Sequence, residues 1–324
     1  MVIHKFAQVI GTICFAIGMI LNSLLVFLIC KNRSTVCDKS YQPIILQICV
    51  MDMLTLIIYT FYMPAFIGDR NDGIYYTLGF FNDVFDNAPL FTQFIYKAWF
   101  FFAFLFTISP SVQFLYRYLV LCRDWKPSYR LYMGFYSLIV LVLLSFDILF
   151  NEGTIYVSRT SNAPYREHIF TDNPTNADLV VFRISSSPWT AIVAINIVAI
   201  PFIVVIICGI RIWLHFRRHF RLVSHLNESN QRLQTQINYT LFIQGGMPIF
   251  GHLATLLLTL YLKFESEYMT FLPNFITLVI IDVNPLLTIL VIDSYRRAVL
   301  NLCLCRPVTL PKQVNVLTTV MQSP

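Results

Sequence analysis

Polar residues are sparse along this chain. Between them run seven long apolar stretches, at 6–30, 44–67, 94–120, 131–150, 189–213, 237–262 and 269–292. Each is long enough to cross a bilayer as a helix, which needs about 20 apolar residues at ~1.5 Å rise. The pattern predicts an all-α membrane protein, a seven-transmembrane helix bundle. After the last run, 293–302 mixes charged and apolar positions at helical spacing and predicts a short amphipathic helix. Residues 1–302 then form one membrane domain, and 303–324 a tail. Pro64, Pro110, Pro201, Pro248 and Pro285 lie inside five of the spans, where packed neighbours can satisfy the carbonyls they free. Gly245-Gly246-Met247-Pro248 is expected to break the middle of the sixth. Residues 1–5 are too few for a separate targeting segment, so the first run is expected to remain as a span.

Composition agrees with the pattern. Of 324 residues, 57% are hydrophobic and 12% charged, and the mean hydropathy is +0.66. Soluble domains carry about 25% charge. The net charge of +6 gives no nucleic-acid signal, because the basic residues cluster at the ends of the apolar runs. Their distribution sets the orientation. Lys31, Arg33 and Lys39 follow span one, and Arg117, Arg123, Lys126 and Arg130 close span three. Arg211, Arg217, Arg218, Arg221 and Arg232 follow span five, and Arg296, Arg297, Arg306 and Lys312 follow span seven. Only Lys5, Arg70, Lys97, Arg159, Arg166, Arg183 and Lys263 fall on the other face. The N-terminus is therefore expected outside and the C-terminus in the cytoplasm. The basic stretch 215–236 is expected to extend its flanking helices into the cytoplasm.

The eight cysteines all avoid the outer loops, so no disulfide is expected there. Cys303 and Cys305 follow the amphipathic segment, where palmitoylation is one reading and two ordinary thiols the other. His215 and His219 stand one turn apart but lie in a wet basic stretch, so no metal site and no cofactor is expected. The Asn-x-Ser/Thr matches at Asn32, Asn227 and Asn238 fall on the inner side or just inside a span and are expected to be unused.

Polar groups inside a membrane are costly and are functional candidates. Asn22, Asp52 and Asn284 each lie about two turns, ~12 Å, from the inner ends of their spans. One carboxyl and two amides at a single depth can share hydrogen bonds, and Asp282 is near the same level. Either this is an interhelical clasp or a network that rearranges between two states; Pro285 beside Asn284 favours the second. Arg117 lies about 23 residues into the third run, at the far interface. It reads either as a snorkelling anchor or as a switch facing a cytoplasmic partner. At the other end Tyr59, Tyr62, Tyr96, Trp99, Phe100, Asn196, His252, Thr255, Asn274 and Thr277 are placed to line a ligand site. Aromatic walls with few polar groups suit a small, mostly apolar molecule, although each residue can also be ordinary packing.

These residues resemble a known pattern. Gly18-x-x-x-Asn22, Leu46 to Asp52, Asn284-Pro285 and a tail helix near Tyr295 are similar to rhodopsin-like G-protein-coupled receptors. The chain more closely resembles nematode seven-transmembrane chemoreceptors of the Str superfamily. That likeness rests on Gln113-Phe114-Leu115-Tyr116-Arg117-Tyr118, on Leu233-Gln234-Thr235-Gln236 leading to Leu241 and Gln244-x-x-x-Pro248, and on Asn284-Pro285 followed by Asp293-Ser294-Tyr295-Arg296. It implies an odorant-like ligand, a heterotrimeric G protein as partner, the plasma membrane of a sensory cilium, and coupling through Gln113, Tyr116, Arg117, Tyr118, Gln236, Gln244 and Pro248. The chain departs from the rhodopsin-like pattern at Tyr116, where an acid usually precedes the arginine, and at Thr288, where a tyrosine usually stands. The closed-state latch must therefore differ.

A transporter or channel is the competing class. It would show repeats between the halves or acids aligned through the membrane, and neither is present. An enzyme is not expected: the chain has no His-Glu-x-x-His and no Gly-x-Ser-x-Gly.

Overall fold

The computed structural model describes residues 2–31, 42–69, 72–77, 89–123, 125, 128–151, 154–157, 179–183, 188–222, 235–236, 239–240, 242–248, 251 and 267–304. In chain order the elements are α1 (Val2–Lys31), α2 (Gln42–Tyr62), β1 (Pro64–Asp69), β2 (Asp72–Thr77), α3 (Pro89–Cys122) and α4 (Tyr129–Asn151). There follow β3 (Thr154–Val157), β4 (Leu179–Arg183), α5 (Pro188–Leu222), α6 (242–248), α7 (Glu267–Val291) and α8 (Asp293–Cys303).

Among the described residues, five helices are long and apolar enough to cross a membrane, in α1, α2, α3, α4 and α7. A shorter apolar stretch, Ala199–His215, lies within α5. On α1 the apolar residues Phe6, Val9, Ile13, Ile17 and Ile20 are exposed at helical spacing, while Ala7, Cys14, Leu25 and Leu28 are buried. Similar exposed rows run along α4 (Leu138, Leu141, Val142, Ile148) and α5 (Ile200, Ile203, Ile207, Ile210). Apolar surface of this extent needs lipid to cover it.

The core has two main bodies. One joins Leu56, Tyr59, Tyr62, Met63, Tyr96, Trp99, Phe100, Phe146, Leu278 and Ile281. The other joins Leu25, Leu28, Ile44, Ile45, Val112, Tyr132, Ile289, Ile292 and Tyr295. Asn22, Asp52, Asp282 and Asn284 are buried at the level between them. A third cluster, Phe114, Val205, Cys208 and Ile212, packs α3 along α5.

Three features differ from the hydropathy reading. The second span ends early: Met63 takes φ 42, and the chain leaves α2 as strand β1 from Pro64. Pro64 thus opens a strand and does not kink a helix. The loops at that end also form a four-stranded antiparallel sheet in the order β1-β2-β4-β3 beside the helical bundle. In its central pairing Asp72 lies opposite Arg183, and Tyr76 opposite Leu179. The pairing ties the segment after α2 to the segment before α5, through loops whose sequences carry no cysteine. Finally, the run from Gly245 to Pro248 is helical, and the residues directly after Pro248 lie outside the described residues. The helix α5 continues past Trp213 to Leu222, as the basic stretch predicted.

Candidate functional site

The sheet end holds the aromatic candidates. Tyr59 and Tyr62 come from the last turns of α2, and Tyr96, Trp99 and Phe100 from one face of α3. Their spacing of three to four residues puts them on facing sides of two packed helices. Tyr62 stands 5.9 Å from Trp99 and 6.3 Å from Tyr96 between ring centroids, and Tyr59 stands 6.1 Å from Trp99. The series continues through Phe100 to Phe104 at 4.7 Å and to Phe146 of α4 at 6.1 Å. Tilted and edge-on rings at such distances suit the ring quadrupole. Thr277, on α7, is partly buried.

The remaining ligand candidates divide. Asn274 is buried, and its amide donates to the Pro64 carbonyl, fixing the exit from α2 against α7. Asn196 is exposed on α5. His252 and Thr255 lie outside the described residues.

At mid-depth, Asn284 Nδ2 donates to Asp52 Oδ2 across a long 3.4 Å hydrogen bond between α7 and α2. Asn22 is fully buried, but its amide donates to the Gly18 carbonyl of its own helix at 3.0 Å and not to Asp52. Asp282 belongs to the layer: it is buried on α7, with its Oδ1 over Gly18 of α1. It fits only because residue 18 is glycine. A Cβ there would stand 2.2 Å from Asp282 Oδ1 and 2.5 Å from Leu56 Cδ1.

At the tail end, Arg117 is 7% exposed, and Gln113 is buried one turn before it. Tyr116 packs its ring on Tyr132 of α4 at 5.2 Å. Tyr118 accepts a hydrogen bond from Arg123 Nε at 3.1 Å. Across the bundle, Gln244 Nε2 donates to Thr288 Oγ1 at 2.8 Å and to the Asn284 carbonyl at 3.2 Å. The Thr288 hydroxyl in turn donates to that same carbonyl at 3.0 Å. Gln236 Oε1 accepts the Asp293 backbone N–H at 3.3 Å. Pro248 and Pro285 are both buried. Cys303 is exposed where α8 ends, and Cys305 lies outside the described residues.

Apolar helices packed about one buried polar level, with exposed apolar outer rows, define a polytopic membrane helix bundle. The chain belongs to the serpentine type 7TM GPCR chemoreceptor family Str, whose sequence profile matches residues 7–300. No curated protein matches it.

Proposed function

We propose that this chain is a G-protein-coupled chemosensory receptor of the plasma membrane, placed in a sensory cilium, with its sheet end outside. A small, mostly apolar odorant-like ligand binds near the aromatic cluster of α2 and α3, with the polar tips of Tyr59, Trp99 and Thr277 as its orienting groups. The tail end then activates a heterotrimeric G protein. Family membership supports the receptor class.

The observation that carries the coupling reading is the burial of Arg117. A snorkelling anchor reaches outward to the lipid headgroups. Arg117 is instead enclosed by the bundle at the end where Tyr116, Gln236 and Gln244 also gather. A guanidinium held there offers a fork of donors to a partner once the helices part.

A screen of volatile and water-soluble odorants on cells expressing the chain tests this reading, with G-protein signalling and solute flux measured in parallel. A ligand that triggers G-protein signalling without flux supports it. Ligand-gated flux with no G-protein response makes the protein a channel or transporter.

A further inference from the structure

We infer that Gln236 and Gln244 form a two-point latch that holds the inner end of the sixth span against the corner between α7 and α8. The inference rests on the receptor reading and adds the device that keeps its tail end closed.

The two points use opposite halves of the glutamine amide. Gln244 is the donor: its Nε2 reaches Thr288 Oγ1 and the Asn284 carbonyl on α7. Gln236 is the acceptor: its Oε1 takes the N–H of Asp293, the first residue of α8. That N–H is one of the orphan donors at a helix start. The residue in the capping position, Ile292, has no side chain able to cap it. The sixth span therefore caps α8 from outside. Separating the two elements would leave the Asp293 N–H bare and the Gln244 amide without these acceptors, which penalises the open form.

The latch is continuous with the polar layer. Asn284 gives its side-chain amide to Asp52 and its carbonyl to Gln244 and Thr288. A rearrangement at Asp52 that turns or shifts α7 at Asn284 would disturb the Gln244 bond directly.

The test uses the full receptor in nanodiscs, with Cys30, Cys37, Cys303 and Cys305 replaced by serine so that these thiols do not take the label. Spin labels are attached at Tyr239→Cys and Arg297→Cys, both exposed positions. The distance between the labels is measured without ligand. Gln236→Leu with Gln244→Leu should add a longer-distance population and raise ligand-independent nucleotide exchange severalfold. Gln236→Glu keeps an acceptor for the Asp293 N–H and should retain the original distance. Thr288→Val should act in the same direction as Gln244→Leu, with the pair less than additive. If the double leucine variant fails to fold, the single variants carry the test. An unchanged distance in the leucine variants overturns the latch, as does Gln236→Glu shifting it as far as Gln236→Leu. A lengthened distance with no exchange under any condition upholds the latch and counts against the G-protein reading instead.

Discussion

The ring of Phe114 occupies the space that a side chain at Gly245 would need. A Cβ at Gly245 would stand 2.4 Å from Phe114 Cε2, so α6 and α3 meet at this point with nothing between ring and backbone. The same ring lies 3.4 Å from a Cβ built at Gly209 of α5. Three spans converge on one phenylalanine, two of them at a glycine.

Gly245→Ala should therefore lower folding yield, because even one methyl overpacks the contact, at a cost of about 1–3 kcal/mol. Phe114→Leu on that background should restore part of it. Surface expression of the two single variants and the double variant checks the claim. An alanine variant as abundant as wild type would show that the helices do not approach this closely.

Asp52→Asn should reach the cell surface at near-normal levels and alter signalling. An asparagine still offers Asn284 an acceptor oxygen but removes the carboxyl from the layer it shares with Asp282. Asp52→Leu should instead cost about 1–3 kcal/mol, because the buried Asn284 amide loses its acceptor. Thermal stability in detergent, compared with signalling per surface receptor, separates the two effects. Equal behaviour of the two variants would mean the hydrogen bond is unimportant.

The outer sheet predicts a specific cross-link. Tyr75 lies opposite Val180 in the pairing of β2 with β4. Directly opposed positions bring Cβ atoms to ~5 Å, close to what a disulfide spans. Tyr75→Cys with Val180→Cys should cross-link under mild oxidation. Tyr75→Cys with Leu179→Cys, one residue out of register, should not. Peptide mapping without reductant reads the result, and equal linkage of both pairs would refute the register.

The excess of basic residues at the tail end predicts its side of the membrane. An epitope tag at the N-terminus should bind antibody on intact cells, and one after Pro324 should bind only after permeabilisation. The reverse pattern would overturn the proposed orientation.

How much of this was legible in the sequence depends on how local each feature is. Apolar runs mark the spans because a helix satisfies its own backbone and needs only length and composition. Asp52 and Asn284 were paired correctly because equal depth on two helices is a one-dimensional fact. Asn22 lies buried at the same level, but its amide donates to Gly18 on its own helix and makes no direct bond to Asp52. Depth does not tell which way a side chain points. The sheet was hidden because β2 and β4 are short and lie far apart in the chain, so their pairing is non-local. The second span was drawn too long because residues 64–67 continue the hydrophobic pattern, while the backbone turns at Met63. Gly245 and Gly246 are weak helix formers, yet they are helical where Gly245 packs against Phe114. Gln244 and Gln236 stood out in the sequence, but the partners that give them roles, Thr288 and the Asp293 N–H, lie on other elements.

The central claim is that the tail end of the bundle activates a G protein through Arg117. The direct measurement is ligand-stimulated nucleotide exchange on a purified heterotrimeric G protein, by wild type and Arg117→Ala in nanodiscs, per folded receptor. The account predicts exchange with wild type and its loss or near loss with alanine. Ligand binding should be retained, shifted by no more than the coupling between sites, about 1–3 kcal/mol. Equal exchange by the two proteins would return Arg117 to the role of an interfacial anchor and contradict the account.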